Sequence, residues 1–380
     1  MYLSRLRLHA FRNLEDQTLE LPPGGVALIG DNGQGKTNLL EAVYYLEIFR
    51  SFRGAPDEQL VRFGEEVFRV EGRMRAGDGT ERTIAAAFER RRKRKKVTVN
   101  GAEPERIGEA IGGVGATIFS PSDVEIVAGS PSGRRRFLDI VLSLAVPGYL
   151  AALQRYRQVL FQRNALLRQG AGPAMVAAWN DGLVAWGSRV AAARAAWVAE
   201  VRDGFAEHYA RVAGGPRGAL AYAASVGEWR QDTAEGGAAA AVAEAFRAGL
   251  ERAAEREVRR GMTLVGPHRD DLRFEMERPG ADPPLDLRTY GSGGQQRTAA
   301  VALRMVEAET IRASRGRDPV ILLDDVFAEL DPGRSLRIIE WIDAQQGGQV
   351  ILTSPKPSDV EVHGGALPRW EMRGGRVRTG

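Results

Sequence analysis

Short apolar segments alternate with segments of helical periodicity near both ends of the chain. Residues 26–29 are apolar and lead into a glycine loop, and residues 36–49 then carry leucine and valine at helical spacing. Later, a predicted helix over 294–311 precedes a very apolar run at 320–323, and a further apolar run covers 349–353. Strands that alternate with helices around a buried apolar strand are typical of a largely parallel sheet.

A second pattern, alternation of apolar and polar residues, predicts antiparallel strands in the first third of the chain. It covers residues 1–9, 67–75 and 83–90. Residues 97–99 are followed by Asn100-Gly101, a dipeptide that accepts positive φ at both central positions of a tight turn. We therefore predict an antiparallel β subdomain, with a hairpin at this dipeptide.

The composition changes near Pro131. From there to about Arg260 the chain is rich in Ala, Arg, Leu and Glu with helical periodicity, which predicts a helical lobe. The lobe lacks an uninterrupted heptad pattern, so we do not expect a long coiled coil. Strand-like patterns return at 262–265 and 272–275. The predicted fold class is α/β, with a mixed, largely parallel core sheet, an N-terminal antiparallel β subdomain and an inserted helical lobe.

The composition is that of a globular protein: of 380 residues, 43% are hydrophobic and 27% are charged. There is no cysteine, which excludes disulfides and cysteine metal sites and suits a reducing compartment. The sequence shows no apolar stretch suited to a signal peptide or a bilayer span, so we expect no membrane partner and a cytoplasmic location.

Basic charge is concentrated in one place, although the formal net charge is only +4. Residues 90–96 are seven consecutive cations. Such a run attracts phosphate groups through counterion release, and it also suits a solvated hairpin arm. The sequence does not separate these two interpretations.

A phosphate-binding P-loop is predicted at 30–37, where the chain has the sequence Gly30-Asp31-Asn32-Gly33-Gln34-Gly35-Lys36-Thr37. Glycine lets the backbone N–H groups point at phosphates, and the following helix adds its positive dipole end. Lys36 suits the β and γ phosphates of ATP, and the Thr37 hydroxyl suits Mg²⁺. The alternative is a chance glycine turn, which the flanking strand and helix disfavour. The candidate ATP contacts are Asn32, Gly33, Gly35, Lys36, Thr37 and Asn38.

A P-loop needs an acidic partner that holds the Mg²⁺ shell. The apolar run 320–323 ends in two carboxylates, Asp324 and Asp325, which repel each other unless a cation or a water network is present. We assign Asp324 to Mg²⁺ together with Thr37. We assign Asp325 and Lys36 to catalysis, with Asp325 polarising the attacking water. The alternative is a strand that ends in solvated aspartates.

A second anion site is predicted at 291–297, where a serine and three glycines precede a helix. The P-loop already supplies the phosphate-binding loop of one nucleotide site. A second anion-binding loop in the same chain is therefore useful if it completes the nucleotide site of another copy of the chain. An ordinary serine-capped helix is the alternative. The candidate nucleotide contacts of this segment are Ser292, Gly293, Gly294 and Gln295.

The arrangement of these motifs resembles the ABC ATPases, in which a signature loop of this kind caps the γ-phosphate bound to the partner's P-loop. Residues 328–331 resemble their D-loop, which makes Asp331 a further candidate contact. Over essentially the whole chain the sequence resembles the RecF family of DNA replication and repair proteins. The blocks that carry this resemblance are 6–14, 32–38, 51–53, 119–121, 134–139, 266–272 and 293–297.

The resemblance implies a slow, DNA-stimulated ATPase whose heads form a homodimer on DNA when ATP is bound and separate after hydrolysis. It implies work in DNA repair and replication and in the SOS response, with RecO and RecR as partners that help load RecA at gaps. The ATPase domain would comprise residues 1–130 and 261–380, and the helical lobe residues 131–260.

Several positions depart from the ABC pattern or leave two roles open. Many ABC proteins carry glutamate where Asp325 stands, Ser120 occupies the region of the Q-loop glutamine, and Thr353-Ser354 stand where a switch histidine often sits. Arg12 suits a contact with the nucleotide phosphates and equally a structural salt bridge.

Further residues and functions also have alternatives. Residues 134–136 are three arginines that suit DNA or nearby acids, and His268 suits a structural turn better than a metal site. An ATP-binding subunit of a membrane transporter is the main alternative function, which the helical lobe and the basic run count against. A nucleotide-gated scaffold without hydrolysis is the third, which the paired aspartates count against.

Overall fold

The protein is described here from a computed structural model that covers residues 1–227, 237–278, 281–344, 348–355 and 367–379. For residues 237, 278, 281–283, 328 and 329 only the backbone is described. Among the described residues, no helix combines the length and apolar character needed to cross a membrane.

The described chain contains fourteen strands and ten helices. The strands are β1 (Tyr2–His9), β2 (Gln17–Glu20), β3 (Gly25–Ile29), β4 (Val67–Arg75), β5 (Glu81–Glu89), β6 (Arg94–Val99), β7 (Ala116–Phe119), β8 (Gly218–Ala223), β9 (Asp271–Arg278), β10 (Ala281–Asp286), β11 (Val320–Asp324), β12 (Val350–Ser354), β13 (Arg369–Arg373) and β14 (Arg376–Thr379). The helices are α1 (Lys36–Ile48), α2 (Val124–Ala128), α3 (Pro131–Ala145), α4 (Tyr149–Arg168), α5 (Pro173–Ala177), α6 (Asn180–Ala213), α7 (Gly237–Arg260), α8 (Leu287–Tyr290), α9 (Gly293–Arg315) and α10 (Pro332–Ala344).

The chain divides into two compact units. Unit 1 comprises Met1–Val124, Arg211–Gly215 and Gly293–Gly380, and unit 2 comprises Glu125–Ala210 and Pro216–Ser292. These bounds differ from the three-part division at residues 130 and 260, which stays a prediction.

The core of unit 1 is a six-stranded sheet with the strand order β14-β13-β3-β12-β11-β7. All its neighbours pair in parallel except β13 and β14, which form an antiparallel pair. Every residue of β7 and β11 is buried, as expected for parallel strands covered on both faces. A hydrophobic core cluster of this unit includes Phe119, Met305, Ile321, Leu323, Ile338 and Trp341.

A second sheet of unit 1 is antiparallel and has the order β2-β1-β4-β5-β6. Burial alternates along β4, so that one face of the sheet packs into the interior. Phe68 lies on this face and makes edge-on contacts with the rings of Phe11 and Tyr45. These contacts join the sheet to α1, the helix that begins at the glycine loop.

Unit 2 combines the helices α3, α4, α5, α7 and α8 and most of α2 and α6 with a three-stranded antiparallel sheet of order β10-β9-β8. Its helices are held together partly by buried ion pairs. Arg163 pairs with Glu257 at 2.7 Å, and Arg194 pairs with Asp139 at the same distance. The longest helix is α6 with 34 residues, and no long coiled coil occurs in the described ranges. The predicted fold class is therefore confirmed.

One strand prediction was wrong, and so was part of the helical prediction. Residues 262–265 are not a strand, because side chains from neighbouring helices satisfy their backbone: the amide of Thr263 donates to Asn164 and that of Leu264 to Glu257. The helical prediction for 131–260 also missed β8, which is defined by its long-range pairing with β9.

The tight turn predicted at Asn100-Gly101 forms, but the hairpin there is limited to the turn. Both residues have positive φ, at 51° and 84°, but the chain beyond them makes only a single bridge, between Val99 and Ala102. The hairpin of this region instead joins β5 to β6 at 90–93, within the basic run.

Candidate nucleotide-binding site

The predicted P-loop connects β3 to α1 in unit 1. Gly33 and Gly35 have φ of 82° and 111°, a backbone region that favours glycine. The first amide groups of α1 have no partner within the helix, so they face the loop as hydrogen-bond donors. Asn32 is exposed at the tip of the loop. This is the backbone arrangement that the sequence predicts for binding phosphate.

The first glycine of the motif has a different physical reason. A Cβ at Gly30 would lie 2.3 Å from the carbonyl oxygen of Met372 in β13. Close approach of a neighbouring strand therefore demands glycine here, whereas the predicted reason was contact with phosphates.

Lys36 is 7% exposed and its amine is held by the loop itself. Its Nζ donates to the carbonyl oxygens of Gly30 at 2.5 Å and Asp31 at 3.0 Å. Burial lowers the pKa of Lys36, and the nearby carboxylates of Asp325 and Asp324 oppose that shift. The amine is thus a desolvated cation in a position where a phosphate oxygen can replace a carbonyl.

The Thr37 hydroxyl donates to Asp324 Oδ1 at 2.8 Å. Asp324 ends β11 and is 5% exposed. A second hydroxyl, that of Thr353 at the end of β12, lies 3.1 Å from the same oxygen and 3.1 Å from the amide nitrogen of Asp325. The structure therefore brings together Thr37 and Asp324 as predicted. It adds Thr353, a position where many ABC proteins carry the switch histidine.

Burial raises the pKa of Asp324, although hydrogen bonds from Thr37 and Thr353 and the charges of Arg53 and Lys36 act in the opposite direction. A buried carboxylate in this condition is stabilised by a cation. Its oxygen and the Thr37 hydroxyl are hard donors of the kind that Mg²⁺ prefers. The residues present therefore fit Mg²⁺.

Asp325 follows the strand with φ of 48°, in the left-handed region that a short polar side chain tolerates better than most. It begins a 3₁₀ turn, Val326–Glu329, which leads to Asp331. The backbone therefore turns sharply after Asp324, and the charges of both aspartates act on the amine of Lys36.

A chain of amide side chains, not predicted from the sequence, ties the loop to α1. Asn13 donates to the carbonyl oxygen of Gly33 at 3.2 Å and accepts from Asn38 at 2.7 Å. Asn38 accepts in turn from Arg53 at 3.3 Å. The signal was available, because Asn13, Asn38 and Arg53 all lie in blocks that carry the RecF resemblance. Asn38 is thus occupied with neighbouring side chains.

The β13–β14 turn braces the other side of the loop. The amide of Gly375 donates to the carbonyl oxygen of Gln34 at 2.9 Å, and that of Gly374 donates to the Gln34 side chain at 2.6 Å. A Cβ at Gly375 would lie 2.0 Å from the carbonyl oxygen of Asn13. No local sequence pattern could reveal this brace, because it joins residues 340 positions apart.

Arg12 forms the structural salt bridge that was one of its two predicted roles. Its Nε and Nη2 donate to the two carboxylate oxygens of Glu41, at 2.9 and 3.1 Å. Glu41 is completely buried on α1. The pair fixes the N-terminal segment against the P-loop helix, and a contact of Arg12 with nucleotide stays a prediction.

The predicted signature segment spans the boundary between the two units. Ser292 is exposed and is the last residue of unit 2, and Gly293 begins α9 in unit 1. Within unit 1, a Cβ at Gly294 would lie 2.6 Å from the guanidinium of Arg334, which pairs with Asp331 at 3.2 Å. The structure thus brings Gly294 and Asp331 to the same guanidinium. Gln295, the next residue of α9, is partly buried.

Other predicted positions have local structural roles. Ser120 caps the 3₁₀ turn Pro121–Asp123 by a reciprocal pair of hydrogen bonds with that turn. In unit 2, His268 bonds to the Tyr156 hydroxyl at 2.6 Å and to the carbonyl oxygen of Thr263 at 3.0 Å. Arg134 is buried and pairs with Asp271, which is one of the two alternatives for that residue.

Comparison with known proteins places the chain in a family. The profile of the RecF/RecN/SMC N terminal domain matches residues 2–365. The DNA replication and repair protein RecF of Halalkalibacterium halodurans is 36% identical over 95% of this chain and 94% of its own length. That of Symbiobacterium thermophilum is 37% identical over 95% of this chain and 93% of its own. The chain belongs to the RecF family.

Solved structures agree with this assignment. The recombination mediator protein RecF-ATPrS in the RecFOR pathway has a TM-score of 0.86 and 31% identity, over 100% of this chain and 98% of the other. RecF-ATP in the same pathway has a TM-score of 0.87 and 30% identity, over 100% and 97%. An Smc head bound to the C-terminal winged-helix domain of ScpA, at 14% identity and a TM-score of 0.57, shares the fold alone.

Proposed function

We propose that this RecF-family chain is a DNA-binding ATPase whose heads dimerise around ATP. ATP binds on the P-loop of one copy, and Ser292 of a second copy closes over its γ-phosphate. The closed dimer holds DNA, and hydrolysis loosens it. The observation that carries the proposal is the hydrogen bond between Thr37 and Asp324, which joins the P-loop to the acidic strand end. Solved RecF structures with ATP and ATPrS support it.

The loop residues act on the triphosphate as follows. The positive φ of Gly33 and Gly35 allows the backbone amides to turn toward the phosphates. The amine of Lys36 leaves the carbonyl oxygens of Gly30 and Asp31 and binds phosphate oxygens instead. The negative charge of the phosphates then compensates the positive charge of this buried amine. The exposed side chain of Asn32 is available to the nucleotide from the tip of the loop.

Thr37 and Asp324 would hold Mg²⁺, which when bound neutralises charge on the β and γ phosphates. Asp325 lies beside this pair and orients and polarises the attacking water. Its backbone is fixed by Thr353, whose hydroxyl lies 3.1 Å from the Asp325 amide. The sharp backbone turn at Asp325 supports separate roles for the two aspartates.

The signature residues act on the partner's nucleotide. Ser292 supplies a hydroxyl, and Gly293, Gly294 and Gln295 supply backbone amides of the first turn of α9, at the positive end of the helix dipole. Asp331 forms an ion pair with Arg334, whose guanidinium lies next to Gly294. The D-loop therefore positions the start of α9. Because the phosphate is part of the contact surface, the dimer forms mainly in the ATP state.

The biological setting follows the family. We propose action in DNA replication, recombinational gap repair and the SOS response, with RecO and RecR as partners in loading RecA, and a cytoplasmic location. The relatives are DNA replication and repair proteins, which favours this setting over the transporter alternative. Stimulation of ATP turnover by duplex or gapped DNA would separate it from a scaffold that does not hydrolyse ATP.

A complementation experiment tests the composite site. Lys36→Ala removes the P-loop amine, and Ser292→Arg blocks the signature loop, so each variant alone should hydrolyse no ATP. A mixed dimer contains one site in which an intact P-loop faces an intact signature loop. ATP turnover should therefore return when the two variants are mixed, in proportion to the mixed dimers that form.

The matched control for added bulk and charge is Ser314→Arg, an exposed serine near the end of the same helix, α9. It should sediment as an ATP-dependent dimer like the wild type, whereas Ser292→Arg should stay monomeric while still binding ATP. Turnover that does not return on mixing, or ATP-dependent dimers of Ser292→Arg, would rule out the composite site.

A further inference from the structure

Unit 2 contains an open, water-accessible cleft that the nucleotide site does not use. Ser132, Arg135 and Arg136 of α3 and Tyr156 and Arg157 of α4 line it, and further lining comes from Arg194 of α6 and from Pro267 and His268. Its volume is about 270 Å³, which accommodates a phosphate group with several waters.

The charge of the cleft is one-sided. Among the described residues that line it there are four arginines and a single carboxylate, that of Asp139. Two of the arginines share this carboxylate: Arg194 bonds one oxygen at 2.7 Å and Arg157 the other at 2.8 Å. The charge of Asp139 is therefore shared by Arg194 and Arg157, and arginines outnumber carboxylates among the described lining residues.

His268 adds no charge and no acid to the cleft. Burial, together with the charges of Arg269, Arg135 and Arg163, lowers its pKa to about 4, although its bond to the Thr263 carbonyl acts in the opposite direction. At neutral pH it is a neutral ring that accepts from Tyr156, so the arginines determine the potential.

Arg135 lies in the cleft without an ion pair among the described residues. Its guanidinium donates to the backbone carbonyl oxygen of Asp270 at 2.8 Å. Burial and the like charge of Arg194 lower its pKa, and the carboxylates of Asp271 and Asp270 act in the opposite direction. A partly buried guanidinium beside another guanidinium is stabilised by an anion between them.

The local geometry suits a phosphate in particular. Guanidinium groups donate two parallel hydrogen bonds to phosphate oxygens. Ser132 is the second residue of α3, a helix of 15 residues whose N-terminal amides add positive potential to this end of the cleft. Arg136 and Arg157 are exposed, with 59% of the Arg157 side chain accessible, so a ligand too large to enter whole can reach the rim.

We propose that this cleft binds a phosphate group of a DNA backbone, held by Arg135, Arg136 and Arg157. The inference rests on the proposed function, because it adds a DNA contact in unit 2 to the contacts that the ATP-bound dimer makes. A backbone phosphate needs only its anionic oxygens inside the cleft, and the rest of the duplex stays at the exposed rim.

Arg136→Gln combined with Arg157→Gln tests the site, because both side chains are exposed and Arg194 still pairs with Asp139. Binding of fluorescent duplex DNA is measured with ATP over a series of salt concentrations. The plot of log affinity against log salt should become shallower by about one to two units, since each lost phosphate contact removes about 0.9. The matched control, Arg155→Gln with Arg252→Gln, removes two exposed arginines of unit 2 that lie outside the cleft.

The outcomes are distinct. A slope that falls only in the cleft variant supports the proposal. Equal slopes in the cleft and control variants overturn it while leaving the proposed function intact, whereas failure of the wild type to bind DNA with ATP would refute the proposed function itself. Thermal stabilisation of the wild type by inorganic phosphate, lost in the cleft variant without any change in DNA binding, would show a free-phosphate site and also overturn the proposal.

Discussion

The hydroxyl of Thr37 donates a 2.8 Å hydrogen bond to the carboxylate of Asp324, 287 positions later in the chain. Thr37 is the second residue of α1, and Asp324 is the last residue of β11. The strands that lead to them, β3 and β11, flank β12 in a parallel sheet, so their carboxyl ends meet at one edge. Correct register of the sheet is therefore a condition for completing the candidate Mg²⁺ site.

Asp324→Asn should impair ATP hydrolysis and ATP-dependent dimerisation without lowering the stability of the fold. The substitution removes a buried charge whose pKa is raised by burial, so thermal unfolding should occur at the same temperature or higher. The amide is a far weaker ligand for Mg²⁺ than the carboxylate, so ATP turnover should fall by about 100-fold or more and ATP-dependent dimers should be lost. Calorimetry, a turnover assay and sedimentation measure the three effects.

Asp325→Asn is the matched variant, because it changes the neighbouring carboxylate in the same way. It should still bind ATP and form dimers, but hydrolysis should slow and the dimer should persist. Normal turnover would remove Asp325 from its assigned role. Equal loss of ATP binding in both variants would contradict the separate assignments of the two aspartates.

The sequence predicted those parts of the site that are local in the chain. The P-loop, the strand end at Asp324 and the helix start at Gly293 each have a short pattern with a physical reason. Thr353 and Gly375 contribute only because the sheet order places β12 and β13 beside β3, which no periodicity encodes. The strand prediction at 262–265 was wrong for a similar reason. Side chains of α4 and α7 accept the hydrogen bonds of its backbone amides, and the periodicity of the segment does not encode these contacts.

Gly375→Ala should weaken the contact between the β13–β14 turn and the P-loop. Its φ is 80°, and the added methyl group would lie 2.0 Å from the backbone oxygen of Asn13. The turn must shift, which weakens its hydrogen bond to Gln34. We expect a loss of roughly 2–4 kcal/mol in the free energy of unfolding, measured by urea titration, and weaker ATP binding.

Gly374→Ala is the control for positive φ without the clash. Its φ is 57°, and a methyl group there meets no atom within 4 Å. Its cost should be only about 1 kcal/mol, with ATP affinity close to that of the wild type. Identical effects of the two substitutions would show that backbone strain, rather than the contact with Asn13, is responsible.

His268 should make the stability of unit 2 depend on pH. Its pKa is about 4 in the folded chain, against about 6.5 for an unfolded chain. Between these values only the unfolded chain binds the proton, so this stability is complete above pH 6.5 and is lost as the pH falls toward 4. The loss between pH 7 and pH 5 should be about 2 kcal/mol.

Urea titrations of the wild type and His268→Gln at the two pH values measure this effect. Glutamine does not titrate, so the variant should lose about 2 kcal/mol less than the wild type on going from pH 7 to pH 5. A variant whose stability falls as steeply as that of the wild type would assign the pH dependence to the carboxylates instead.

The basic run forms the exposed turn between β5 and β6, and only part of it is paired. Lys95 pairs with Asp57 and Lys96 with Glu103, whereas the described residues provide no ion pair for Arg91 or Lys93. If the turn binds DNA, Arg91→Gln with Lys93→Gln should weaken binding to all duplex sequences about equally and lower the salt slope by about two.

The control for the basic turn is Arg7→Gln with Arg75→Gln, which removes two exposed arginines from β1 and β4 of the same sheet. Anisotropy titrations with ATP over about 50–200 mM salt compare the two double variants. A smaller slope in the turn variant alone would mean that these cations contact phosphates, because general loss of charge affects both variants alike. Equal slopes would instead favour the solvated arm, the other interpretation that the sequence allowed.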